Sequence, residues 1–175
     1  MFRHANYSNV AVMGHSMGGN AAARIATMGE HEAYTLRAAV AENPALMWDF
    51  FTRPDRIKVP TFFETGTNES LCPERAVLNA YKRDPMPDKV IIDIVGGKHC
   101  EESNIGPQRG LPYSVQFLVC HLFEDEKACD LVYGQSSDSL CTEGNVEYAV
   151  CEAIRESTWN DEKKKRKRRW IQDIL

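Results

Sequence analysis

The sequence lacks several features that would assign it to a class at once. No stretch approaches the roughly 20 consecutive apolar residues that span a bilayer, so we expect no transmembrane segment. Residues 1–7 contain no apolar core and do not predict a signal peptide. No C-x-x-C pair occurs, which argues against a zinc ribbon or a thioredoxin-like redox pair. We therefore expect no metal site.

Charge is distributed unevenly along the chain. The formal net charge is −4, yet residues 163–169 are an unbroken run of Lys and Arg, so the remainder is strongly acidic. We expect residues 158–175 to be a disordered basic tail. A nuclear-localisation or nucleic-acid patch and a contact with anionic membranes are the alternatives. Because no aromatic residues are interleaved with the run, we expect no nucleic-acid partner.

The cysteine content favours an oxidising compartment. Six cysteines are many for a reduced intracellular enzyme of this size, and disulfides are the preferred interpretation. A secreted or secretory-pathway location is therefore favoured, while buried free thiols are the alternative. Four of the six lie at positions 120, 129, 141 and 151, where they can pair with one another. We expect residues 126–157 to form a cysteine-containing extension that packs beside the main domain.

The most informative motif is Gly14-His15-Ser16-Met17-Gly18-Gly19. It follows the apolar run 10–13 and precedes the small-residue segment 20–26, which is the strand-turn-helix context of a nucleophile elbow. Such a turn projects the serine hydroxyl outward and aims backbone amides of the following helix at a developing oxyanion. Ser16 is therefore a candidate nucleophile, and the Met17 amide is a candidate oxyanion-hole donor.

Hydrophobic patterning predicts an α/β fold. Strand-like runs alternate with helical segments, which implies a parallel sheet flanked by helices. The predicted strands are residues 10–13, 36–41, 59–65 and 89–95, and the predicted helices are residues 17–28, 73–81 and 113–123. The carboxyl ends of parallel strands host the chemistry of such sheets. Ser16, Glu69 and His99 all follow predicted strands.

A serine nucleophile needs a base and a carboxylate that orients the base. His99 follows the last predicted strand, and Gly96 and Gly97 free its loop to reach the serine. Glu69 is the preferred acid because it follows the third strand, in the chain order serine, acid, histidine. Asp49 and Glu64 are the competing acids.

These segments resemble the second half of an α/β-hydrolase. The elbow, residues 59–69 with Pro73, and Gly97-Lys98-His99 are similar to the dienelactone hydrolase, chlorophyllase and cutinase or polyester hydrolase branch. The resemblance implies a triad of Ser16, Glu69 and His99, with the Met17 amide in the oxyanion hole. The family usually has aspartate at the acid position.

The resemblance also predicts how much of the fold is present. The family has eight strands and places the elbow after the fifth, so residues 1–125 correspond to a C-terminal half with strands equivalent to 5–8. Strands one to four and the loop with the second oxyanion amide have no counterpart in this sequence. Cys72 follows Glu69 closely and Cys100 follows His99 directly, so a Cys72–Cys100 disulfide is expected, as in some polyester hydrolases.

The implied function is hydrolysis of a carboxylic ester through an acyl-enzyme, without metal or organic cofactor. The partner would be a small-molecule or polymeric ester substrate. The alternative is a truncated, catalytically inert hydrolase remnant that serves as a binding or structural module.

Overall fold

A single sheet organises the protein. The computed structural model describes residues 7–29, 31–46, 53–101, 106–142 and 146–156. In these ranges five strands lie side by side in chain order, the first four parallel and the fifth antiparallel to the fourth. The strands are β1 (Val10–His15), β2 (Leu36–Glu42), β3 (Thr61–Gly66), β4 (Lys89–Ile94) and β5 (Tyr148–Ile154).

Helices cover both faces of the sheet. They are α1 (Met17–Met28), α2 (Glu74–Arg83), α3 (Leu111–Phe123) and α4 (Glu126–Tyr133), with a short 3₁₀ helix at Pro54–Arg56. The α/β class and the mostly parallel sheet predicted from the sequence are thus confirmed. None of these helices combines the length and the apolar character needed to cross a membrane, within the ranges given above.

Alternating side chains divide the interior into two cores. Phe62 and Phe63 are consecutive in β3 and fully buried, yet they point to opposite faces of the sheet, as the period of a strand requires. Phe63 packs with residues of α1 and α2, whereas Phe62 meets Phe117 of α3 edge to face. Because both faces are covered, β2 and β3 consist mainly of buried residues.

The C-terminal extension joins the sheet, which the sequence analysis did not predict. Residues 126–157 were expected to pack beside the main domain, but β5 pairs with β4 along its whole length. Two disulfides fasten this region, Cys120–Cys129 and Cys141–Cys151. Each closes a short loop, which by the chain-entropy model contributes about 3 kcal/mol. Residues 157–175, with the basic run, lie outside the described residues.

A buried carboxyl group lies at the end of α2. Asp84 is 2% exposed, and its Oδ1 accepts a hydrogen bond of 2.8 Å from the Met86 N–H. Burial raises the pKa of Asp84 to about 7, although the Met86 N–H and the nearby Lys89 ammonium oppose this rise. The folded state therefore binds a proton that the unfolded chain releases near pH 3.8.

This proton makes the stability of the fold depend on pH. Because the pKa is higher in the folded state, the free energy of unfolding should fall as the pH rises from about 4 to about 7. Asp84→Asn removes the titration and keeps the acceptor for Met86. In urea unfolding, the free energy of unfolding should fall less for the variant than for the wild type over this pH range. At pH 8 the variant should be more stable than the wild type by up to about 4 kcal/mol.

Asp55→Asn is the matched control. Asp55 is exposed and forms ion pairs with Arg53 and Arg83, so its carboxyl group titrates below the pH interval from about 4 to about 7. Chiefly through its hydrogen bond with Arg53, the pKa of Asp55 is lowered to about 2. Identical pH profiles for the two variants would show that Asp84 is not the titrating group.

Candidate active site

The turn between β1 and α1 has a strained backbone. Ser16 has φ 58° and ψ −119°, a conformation that residues with a side chain rarely adopt. Its N–H donates to the Glu42 carbonyl at 3.0 Å, and its carbonyl accepts from the N–H groups of Asn20 and Ala45, both at 3.0 Å. These bonds tie the turn to the end of β2 and offset the strain.

Glycine is required where β1 and α1 pass each other. A Cβ atom on Gly14 would lie 2.3 Å from the Gly18 carbonyl oxygen, and one on Gly19 would lie 2.8 Å from the Glu42 carbonyl oxygen. Both glycines therefore permit close backbone contact at ordinary negative φ. Gly18 faces open space. The elbow geometry predicted from the motif is present.

Three predicted side chains form one hydrogen-bonded chain. His99 Nε2 lies 3.0 Å from Ser16 Oγ, and His99 Nδ1 lies 2.8 Å from Glu69 Oε2. With its proton on Nδ1, the imidazole donates to the carboxylate and can accept from the serine hydroxyl. The His99 side chain is 15% exposed and that of Glu69 is 0% exposed. Solvent therefore reaches the histidine and not the acid.

Backbone amides hold the carboxylate in its ionised form. Glu69 Oε1 accepts from the N–H groups of Leu71 at 2.6 Å and Cys72 at 3.0 Å. Burial is the largest influence and favours the neutral acid. These amides and His99 together outweigh it, so the pKa of Glu69 lies below its ordinary value. Of the competing acids, Glu64 is buried with its carboxylate against Gly110 at the start of α3, and Asp49 lies outside the described residues.

The loops that carry Glu69 and His99 touch through their backbones. A Cβ atom on Gly66 would lie 2.4 Å from the Gly97 carbonyl oxygen, and the Asn68 N–H donates to that oxygen at 3.0 Å. The Gly96 N–H also donates to Thr67 Oγ1 at 2.8 Å. The acid and the histidine thus belong to one hydrogen-bonded unit at the carboxyl ends of β3 and β4.

Backbone donors lie next to Ser16 at the start of α1. Met17 is the first residue of this helix, so its N–H has no partner within the helix, and no side chain caps this end in the described part of the chain. Met17 is 80% exposed. In the same ranges no cluster of His, Cys, Asp and Glu could hold a metal ion.

The expected Cys72–Cys100 disulfide is a wrong prediction. Neither cysteine is disulfide-bonded, and the two side chains occupy different environments, since Cys72 is buried and Cys100 is exposed. Burial and, after it, the Glu69 charge raise the pKa of the Cys72 thiol, and a hydrogen bond with Ser16 opposes this rise. The loops meet through Gly66 and Gly97 instead, so proximity of the flanking residues did not bring the sulfur atoms together.

Two contacts at the site were not predicted. The Cys72 thiol contacts the Ser16 hydroxyl, and His15 Nε2 hydrogen-bonds with the backbone carbonyl of His99. Neither contact has a sequence signature, because each joins segments far apart in the chain.

Alanine substitution of Gly14 and of Gly18 tests the close contact between β1 and α1. Gly14→Ala should lower the free energy of unfolding by about 1–3 kcal/mol, because the new methyl group meets backbone. Gly18→Ala, in open space within a helix, should be neutral or raise it by up to about 1 kcal/mol. Urea unfolding of both variants measures the difference. Equal changes would mean that β1 and α1 do not approach closely at Gly14.

Thiol labelling tests the state of Cys72 and Cys100. In native protein without reductant, iodoacetamide should modify Cys100 rapidly and Cys72 only after denaturation, because Cys72 is buried with a raised pKa. Peptide mass spectrometry locates the adducts. If both cysteines stayed unmodified in denaturant until a reductant was added, they would be disulfide-bonded after all.

Sequence similarity does not identify a family for this chain. No family model matches it, and no curated protein matches it significantly. A function therefore has to be argued from the chemistry of the site.

Proposed function

We propose that this chain is a serine hydrolase of carboxylic esters that uses Ser16, His99 and Glu69 as a catalytic triad. The observation that carries the proposal is the position of His99, with one ring nitrogen 3.0 Å from Ser16 Oγ and the other 2.8 Å from Glu69 Oε2. A fold of the α/β-hydrolase type, of which the described strands β1–β4 would be strands five to eight, is part of the proposal.

In the first half-reaction His99 Nε2 takes the proton of Ser16 as Oγ attacks the ester carbonyl carbon. The carbonyl oxygen becomes an oxyanion and accepts a hydrogen bond from the Met17 N–H. The tetrahedral intermediate then collapses, and the proton passes from His99 to the departing alcohol. An acyl group remains on Ser16.

In the second half-reaction His99 accepts a proton from water, and the hydroxide formed attacks the acyl carbon. Collapse returns the proton to Ser16 Oγ and releases the carboxylic acid. Glu69 stays ionised throughout, since its lowered pKa keeps it charged beside the imidazolium that forms in each step.

The second candidate is an inert remnant that acts as a binding or structural module. Two observations favour it: Met17 supplies the one oxyanion-hole donor that we identify, and within the described strands β1 pairs with β2 alone. Removing one such donor typically costs 10²- to 10³-fold in rate. A folded protein without esterase activity would support this candidate.

A fluorophosphonate probe and a short-chain p-nitrophenyl ester test the proposal together. Wild-type protein should bind the probe covalently at Ser16 and hydrolyse the ester, while Ser16→Ala should do neither. Glu69→Gln should lower kcat by about 10³- to 10⁴-fold, because the histidine loses the partner that sets its tautomer.

Ser137→Ala, an exposed serine that bonds Asp138, is the matched control and should behave as wild type. Equal labelling of the wild type and Ser16→Ala would refute the assignment of the nucleophile. Absence of labelling in a wild type with cooperative unfolding would favour the inert module.

A further inference from the structure

His15 reaches across the site to the main chain of His99. It is the last residue of β1 and directly precedes Ser16, and its Nε2 donates a hydrogen bond to the His99 carbonyl oxygen. The two imidazole rings lie with centroids 4.7 Å apart and planes tilted by 51°. The side chain is partly buried. His15 therefore joins the strand that carries the serine to the loop that carries the histidine.

Backbone hydrogen bonds also anchor the turn around His99. The Gly97 N–H donates to the Ile94 carbonyl at 2.9 Å, and the Glu101 N–H donates to the Lys98 carbonyl at 3.0 Å. These bonds fix the two ends of the turn. The bond from His15 holds its middle, at the residue whose ring must face Ser16.

We propose that His15 is a positioning residue, which sets the place of the His99 ring relative to Ser16 Oγ through its Nε2–H bond to the His99 carbonyl. The inference rests on the proposed function and adds a residue to it. Because His15 and Ser16 are consecutive in the chain, the nucleophile and the main chain of the base share one rigid support.

The chemistry needed at position 15 is a hydrogen-bond donor at the reach of Nε2. A carbonyl oxygen only accepts, so Nε2 of His15 must carry the proton in this bond. Displacement of a reacting group by about 1 Å can cost 10²-fold in rate, which sets the scale for losing the bond. Loss of the bond should lower kcat, since His15 acts on His99 and not on the substrate.

A pair of substitutions separates the donor from the ring. His15→Phe keeps an aromatic ring without the donor, whereas His15→Gln places an N–H donor at a similar reach. His15→Phe should lower kcat for the p-nitrophenyl ester and the rate of fluorophosphonate labelling by about 10- to 100-fold, with KM changed less than about two-fold. His15→Gln should recover activity to within about three-fold of wild type. His31→Phe, a histidine that stacks on Tyr34, is the matched control and should change neither rate.

A readout that needs no catalysis accompanies the kinetics. In proton NMR the His99 Nδ1–H that bonds Glu69 should give a downfield signal protected from exchange with water. The signal should persist in His15→Gln and broaden through faster exchange in His15→Phe. If His15→Phe does not unfold cooperatively, His15→Leu, which also lacks a donor, takes its place.

The outcomes distinguish the two proposals. Equal rates and equal His99 signals in the donor-free and donor-bearing variants would overturn the role of His15, and so would a loss confined to KM. A wild type that does not react with the probe, but whose His99 signal still depends on the donor, would refute the hydrolase function and leave the positioning contact established.

Discussion

The strained turn at Ser16 is the constraint on which the candidate site depends. A residue with φ 58° and ψ −119° costs about 1–3 kcal/mol, and it persists only where its surroundings fix it. Here the Ser16 N–H bonds to the end of β2, and Gly14 lets the start of α1 come close to β1. The same turn places Ser16 Oγ 3.0 Å from His99 Nε2, and the residue before it, His15, bonds to the main chain of His99. The strained turn and the contact with His99 thus lie on consecutive residues.

Three buried carboxyl groups show how the site differs from the rest of the interior. Burial raises the pKa of Asp84, which has a single backbone donor at Oδ1, and it raises that of Asp93, where the neighbouring Glu74 carboxyl adds to the effect. The Glu69 side chain is also buried, but two backbone amides and His99 donate to it, and its pKa is lowered. Hydrogen-bond donors aimed at the carboxylate therefore outweigh burial at Glu69 and do not outweigh it at Asp84 or Asp93. The one that contacts a histidine is the one kept ionised.

Much of the architecture follows from the local sequence pattern. The features that were not predicted depend on contacts between segments that are far apart in the chain. Continuous apolar runs and the glycines around Ser16 suffice to predict four parallel strands, and strand order then brings Glu69 and His99 to the same sheet edge. The strand β5 was not predicted, because its burial is partial and its pairing with β4 crosses more than 50 residues of chain. The His15 contact and the thiol states of Cys72 and Cys100 depend on side-chain directions, which spacing alone does not determine.

The choice of glutamate at position 69 has a geometric explanation. Its carboxylate turns back over its own loop, where Oε1 accepts from the amides of Leu71 and Cys72, while Oε2 reaches His99. An aspartate is shorter by one methylene, so from the same backbone position its carboxylate would extend less far toward His99. One glutamate side chain thus orders the loop and orients the histidine. Burial of the carboxylate is tolerated because both of its oxygens are hydrogen-bonded, and the stabilisation of the loop and the alignment of His99 are consequently the same interaction.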